Sequence, residues 1–212
     1  MSSIQKGQAF QIRSYAFADE FSWLRCRLLA FFDTAYFDDV LRDKPVYQNP
    51  SIELVAVIEN QVVGLIDIEY ETSPGSICST TAAATPALAG MIWHIAVHPD
   101  YRRQGIGETL LNEAKQAALA KNLTRLEAWT RDDPFVNSWY QRQGFIKKDA
   151  YYHVYMNGEE IRDLLNTNMQ GLHPTHVFAH YSGKDLSLLK QFDRVHECMR
   201  YDLSLTTPPT HD

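Results

Sequence analysis

Between His98 and Ala114 the chain reads HPDYRRQGIGETLLNEA. Arg102, Arg103 and Gln104, then Gly105 and Gly107 flanking Ile106, stand between an apolar run and an amphipathic helix. A helix gains nothing from those glycines, each of which weakens it by up to about 1 kcal/mol relative to alanine. Anion binding is the chemistry that uses them. The first N–H groups of a helix lack internal partners, and the macrodipole places partial positive charge there. Glycines let a pyrophosphate reach those amides, and two arginines add charge and donors. Two nucleotide motifs are excluded. The Walker pattern needs Gly-Lys followed by Ser or Thr, whereas Gly107 precedes Glu108 and Thr109. The dinucleotide fingerprint needs a third glycine where Leu110 stands.

The elements around this loop follow from periodicity. FQIRSYAF alternates as a first strand. Asp19 is placed to cap a helix in which Phe21, Leu24, Leu28 and Phe32 recur at helical spacing. YFDDVLRDKPVYQNP reads as a short helix and a loop closed by Pro45 and Pro50. IELVAVIENQVVGLIDIEYE reads as two strands joined tightly at Glu59-Asn60-Gln61. The segment from Thr72 to Ala89, rich in Ser, Thr, Ala, Pro and Gly, reads as a mobile surface loop. MIWHIAV is a third apolar run closed by Pro99, and the helix opened by Gly105 runs to near Asn122. TRLEAWT is a strand, and PFVNSWYQRQ a helix with Pro134 in its first turn and Gly144 as its stop. YYHVYMN is a strand, EEIRDLLNTN is helical, THVFAHY follows, KDLSLLKQF is a capped helix, and HECMRYDLSL is a last strand.

Composition narrows the class. A chain of 212 residues with 45% hydrophobic and 22% charged residues buries a real core. A net charge of -6 gives no general attraction to nucleic acid or an anionic membrane. Cys26, Cys78 and Cys198 are odd in number and far apart, which favours reduced thiols over a disulfide framework or a zinc site. No metal is expected. MSSIQKGQAF lacks the apolar core of a signal peptide, and no run approaches the roughly 20 apolar residues of a membrane span. A soluble, cytoplasmic protein is the expectation.

The full string IAVHPDYRRQGIGETLL resembles the acetyl-coenzyme A signature of the GCN5-related N-acetyltransferase (GNAT) superfamily: Arg or Gln, two residues, Gly, one residue, Gly or Ala. Arg102, Gly105 and Gly107 match it. RLEAWTRDD and NSWYQRQGF resemble the next two motifs. The resemblance implies a mixed α/β fold with a central, mostly antiparallel twisted sheet, flanking helices and two strands splayed at the acetyl-CoA site. It covers residues 1–157 as the acetyltransferase domain. Residues 158–212 are then a C-terminal α/β extension, packed on the same domain or at a dimer interface, which leaves room for a homodimer.

The resemblance also implies roles. Acetyl-CoA is the cosubstrate, and the acceptor is a primary amine of a small molecule or peptide. The main chain of Ile95, Ala96 and Val97 would hold the pantetheine arm and the thioester carbonyl. Arg102, Arg103, Gln104, Gly105, Ile106, Gly107 and Glu108 would hold the pyrophosphate. Tyr140 stands where the family's tyrosine protonates the leaving thiolate. Asn137 would replace an asparagine that contacts the cofactor, because Asp133 departs from that residue type. An alkyl ammonium, with a pKa of about 10, needs deprotonation before it attacks. Glu127 is the first candidate base, with Glu69 and His94 as rivals, since Met91 stands where some members carry a glutamate. Tyr36, Phe37, Asp38, Asp39, Tyr47, Tyr70, Tyr151 and Tyr152 fall in acceptor-side regions, where acids and aromatics suit an amine cation. A catalytically silent acyl-CoA-binding sensor would share the phosphate loop without needing a base or an acid.

Overall fold

A computed structural model describes residues 9–80, 87–162, 164–165 and 167–205. Eight strands form one sheet: β1 (Gln11–Ser14), β2 (Ser51–Ile58), β3 (Gln61–Tyr70), β4 (Ala89–Val97), β5 (Arg125–Thr130), β6 (Ile146–Asn157), β7 (His176–Tyr181) and β8 (Arg194–Ser204). Their spatial order is β1-β2-β3-β4-β5-β8-β6-β7. The β4–β5 pair is parallel, and the six other pairs are antiparallel. The β2–β3 hairpin turns on Glu59 and Asn60 at φ 47° and 64°, the double left-handed turn that matches strand twist.

Helix α1 (Glu20–Phe32) covers one face of the sheet and α2 (Ile106–Leu119) the other. From α2, Ile106, Leu110, Leu111, Ala114 and Ala118 are buried with Ile66, Ile68 and Leu126 of the sheet. From α1, Trp23, Cys26 and Ala30 pack on Val55, Leu65 and Ala96. This corrects the periodicity reading, because Phe21, Leu28 and Phe32 point outward at 73%, 43% and 69% exposure. Asp19 does not cap α1 either. Its carboxylate takes two hydrogen bonds from Arg13 and one from the Ala16 amide. The short helix expected after Tyr36 is a run of turns, and the helix expected after Gly158 is one turn, α4 (Glu159–Arg162). The capped segment at Leu186–Gln191 is a 3-10 helix, not an α-helix.

Helix α3 (Pro134–Arg142) follows β5 and stops at Gly144, φ 86°. The chain beyond residue 157 supplies both an outer strand and an inner one. β7 adds to the edge of β6, whereas β8 lies between β5 and β6 and pairs with both. The last strand is therefore internal to the same sheet. Among the described residues no helix is long and apolar enough to cross a membrane.

Candidate active site

The site begins where two strands part. β4 and β5 pair from Ala89↔Arg125 to Ile92↔Ala128, and no pairing between them continues past that point. Trp93 is an extra residue at a β-bulge against β3, whose register jumps from Ile68↔Ile92 to Asp67↔His94. Bulges bend a strand and re-aim its side chains. From His94 to Val97, β4 stays paired to β3 alone. The gap opens into a cleft of about 580 Å³, lined by Trp93–Val97 on one wall and by Trp129 and Thr130 on the other. Ile95, Ala96 and Val97 thus line the cleft from the unpaired edge of β4.

The loop from Arg102 and the start of α2 also line this cleft. Gly105 caps α2 in the left-handed region at φ 79°, and a Cβ built there meets nothing within 4 Å. Its requirement for glycine comes from the backbone conformation. A Cβ on Gly107 would stand 3.4 Å from Val97 and 3.7 Å from Trp139, an ordinary contact. Protein crowding therefore does not demand glycine at 107, and the open space faces the cleft. Arg102, Arg103, Gly105, Ile106, Gly107 and Glu108 all line it. Arg102 also donates to the Ala30 carbonyl at 2.9 Å, a favourable place for a cation near the last turn of α1. Gln104 is half-buried beside them without lining the cleft, and the Ile106 side chain is spent in the core. Arg142, in the last turn of α3, lines the cleft as a further cation. Sequence reading missed it, although it lies within the quoted NSWYQRQGF motif.

Tyr140 lines the same cleft from α3 while only 4% exposed. It stacks on Tyr201 of β8 at 5.6 Å and meets Phe145 edge-on at 5.0 Å. Burial pushes its phenol above the ordinary value, so the group keeps its proton at neutral pH and is a donor.

Glu127 has a different setting from the one expected. It lies on the paired half of β5, fully buried, and does not line this cleft. Its oxygens accept from the Ser79 amide and hydroxyl at 3.0 Å each, Arg125 at 2.7 Å and Trp129 at 2.9 Å. Burial alone would raise its carboxyl, but these donors outweigh it and hold the group below the usual carboxylate range. Unlike an open carboxylate, Glu127 is ion-paired with Arg125 at 2.7 Å and lies away from the cleft. The described part of Thr72–Ala89 is a surface loop, as expected, and it is anchored at several points. Ser79 is tied to Glu127, and Glu71 accepts from the amides of Gly75, Ile77, Cys78 and Ala89. Residues 81–86 of that segment lie outside the described residues.

Asn137 is likewise committed to the protein. Its amide donates to the carbonyls of Arg131 and Asp133 at 2.7 Å each, and its oxygen accepts from Tyr201 at 2.9 Å. It holds α3 against β8 and thereby the Tyr201 ring on which Tyr140 stacks. Asp133 caps α3 by accepting from Phe135 and Val136 amides.

The rival bases lie beside a second cavity of about 410 Å³, which shares Trp93 and His94 with the cleft. His94 Nδ1 accepts from Arg27 Nε at 3.4 Å, which leaves the ring proton on Nε2. Burial, Arg27 and Lys44 push its pKa down to about 3. Glu69 accepts from the Asn49 amide and side chain at 2.9 Å and from Trp93 Nε1 at 2.8 Å. Burial raises its carboxyl, but the Asn49 and Trp93 hydrogen bonds prevail and lower it. Of the acceptor-side residues, Tyr36 and Asp39 line the cleft and Tyr47 the second cavity. Asp38 pairs with Arg194, whose guanidinium lies over the Phe37 ring, and Tyr151 packs on Trp129. Tyr70 and Tyr152 pack against apolar clusters.

Comparison with known proteins agrees with this geometry. The model of the acetyltransferase (GNAT) family matches residues 15–145. Acetyltransferase SG1711 of Sodalis glossinidius (strain morsitans) is 25% identical over 129 residues, spanning 60% of this chain and 78% of that protein. The crystal structure of an N-acetyltransferase from Staphylococcus aureus Mu50 has a TM-score of 0.56 at 16% identity, covering 93% of this chain and 99% of that one. A GNAT family acetyltransferase from Elizabethkingia anophelis, solved with acetyl-CoA bound, has a TM-score of 0.51 at 16% identity, with 92% and 98% covered. The ribosomal-protein-S18-alanine N-acetyltransferase of Escherichia coli gives 0.54 at 12% identity, with 96% and 99% covered. At these identities the structural likeness speaks for the fold.

Proposed function

Because the chain belongs to the acetyltransferase (GNAT) family, we propose that it transfers the acetyl group of acetyl-CoA to a primary amine of a small molecule or peptide. The observation that carries this reading is the parting of β4 from β5 next to a helix N-terminus with Gly105, Gly107 and arginines around it. In this reading the pantetheine arm runs along the free edge of Ile95–Val97. The main-chain amides from Gln104 to Glu108 receive the pyrophosphate, with Arg103 and Arg142 supplying positive charge.

The neutral amine attacks the thioester carbon, and β4 main-chain N–H groups stabilise the oxyanion that forms. Collapse breaks the C–S bond and completes the C–N bond. The thiolate takes the Tyr140 phenol proton, the amide nitrogen loses its proton to water, and the Tyr140 phenolate regains a proton from that water. None of Glu127, Glu69 and His94 has the surroundings of a good base. The first is saturated by donors, the second has a lowered pKa, and the third is weakly basic with its Nδ1 lone pair engaged. The enzyme therefore selects amine that is already deprotonated, and placement beside the thioester supplies most of the acceleration.

Free-thiol release from acetyl-CoA against a panel of amines tests this. The rate is expected to climb with pH as the acceptor loses its proton. Tyr140→Phe should cut kcat by about 100-fold, the usual scale of general-acid effects, with the coenzyme A Kd unchanged. A matching rise in that Kd makes Tyr140 a binding residue instead, and no thiol release with any amine overturns the reaction.

A further inference from the structure

The proposed reaction leaves the second cavity without a task. Its walls include Tyr47, Asn49, Glu69, Trp93 and His94. Glu69 is held by neutral donors alone, from Asn49, Trp93 and the Gln48 backbone, and makes no ion pair among the described residues. Two residues back on β3, Asp67 is fully buried, and its Oδ1 has no hydrogen-bond partner among the described residues. Its other oxygen shares the single ammonium of Lys44 with Glu53, at 2.9 Å and 2.5 Å, and accepts from Tyr47 at 3.0 Å. One lysine thus faces two carboxyl groups, of which burial pushes the Asp67 pKa up, and Glu69 faces no cation. Arg27, on the far side of His94, is matched by Asp39 at 2.8 Å.

The cavity also has an aromatic wall suited to a cation. Trp93 is 49% exposed, and its indole N–H is held by Glu69, which fixes the ring between cavity and cleft. An indole face beside a carboxylate attracts ammonium groups. His94 stays neutral in these surroundings and does not repel one. A persistent carboxylate is a poor proton acceptor and a good counter-ion, whereas the attacking nitrogen must be uncharged. The cation that Glu69 receives is therefore a second one.

We infer that the acceptor is a doubly basic molecule, such as a diamine, whose spectator ammonium sits on Glu69 against Trp93 while its other amine reaches the thioester past His94. This rests on the acetyl-transfer reading of the adjoining cleft. The test compares 1,4-diaminobutane with 4-aminobutan-1-ol, which differ in one terminal group, by thiol release from acetyl-CoA with the wild-type protein. The diamine should lead in kcat/KM by about 10-fold beyond the twofold expected from its two equivalent amines, the scale of one partly desolvated cation–aromatic contact. Most of that lead should lie in KM and shrink as salt is raised. Glu69→Gln should collapse it to the statistical twofold while the coenzyme A Kd holds. Equal wild-type kcat/KM after that correction, or a lead that survives Glu69→Gln, overturns the inference and leaves acetyl transfer standing. Thiol release with no amine at all overturns the underlying reaction, and this inference with it.

Discussion

β4 and β5 run together for four residues and then part, and the two ends of this one pair carry opposite chemistry. At the closed end Glu127 takes hydrogen bonds from Ser79 and Arg125, and Arg125 also faces Asp202 at 3.1 Å. At the open end the β4 edge from His94 to Val97 faces a cleft, with Tyr140 and the phosphate loop around it. A glutamate on β5 looks equally catalytic at either end from its type and strand. The difference lies in partnership: Glu127 is buried and ion-paired where the strands pair, whereas the unpaired β4 edge lies beside a cleft.

Breaking the closed end should have the largest effect, and on stability. Glu127→Gln is expected to cost about 3 kcal/mol, the lower end of the cost of removing one partner from a buried ion pair, because Asp202 still faces Arg125 at 3.1 Å. Urea unfolding measures it. Turnover per folded molecule should stay near wild type, and a large fall would return Glu127 to the reaction.

The complementary change strikes the open end. Gly107→Val places a side chain where the cleft meets the helix N-terminus, with Val97 already 3.4 Å from its Cβ. Losing one charge-assisted hydrogen bond to the pyrophosphate should weaken coenzyme A binding by roughly 10- to 100-fold. Calorimetric titration reads this, and a thermal melt close to wild type would separate it from misfolding. An unchanged Kd would remove the pyrophosphate from this loop.

The smallest expected effect, counted per pH unit, concerns His94, at the mouth of the open end. Its folded pKa is about 3 against an ordinary 6.5. Between those values the unfolded chain binds a proton that the folded one does not. Stability therefore falls as pH drops through this window, by up to about 1.4 kcal/mol per pH unit for one proton. His94→Gln should make that slope shallower in urea unfolding between pH 6 and pH 4. An identical slope would place the acid sensitivity on other groups.

Much of this was legible in the residues themselves. Glu59-Asn60 demanded a tight hairpin, Gly144 a helix stop, and Gly105 a left-handed residue opening a helix, because each requirement is local: a φ value, a missing N–H or a cap. The alternation of strands and helices and the phosphate-loop string were sufficient to indicate the fold. What local pattern did not carry was partnership. Two apolar stripes run along α1, and only packing against Val55, Leu65 and Ala96 decided that Trp23, Cys26 and Ala30 face inward while Phe21 and Phe32 do not. Asn137 and Glu127 are plausible site residues by type, yet Tyr201 and Ser79, distant in sequence, had already claimed them. The place of β8 between β5 and β6 is likewise a choice among edges that hydrogen-bond equally well in isolation. Conformation is written residue by residue, whereas a side chain is free for chemistry only if no distant partner takes it, and that condition exists only once the chain has folded.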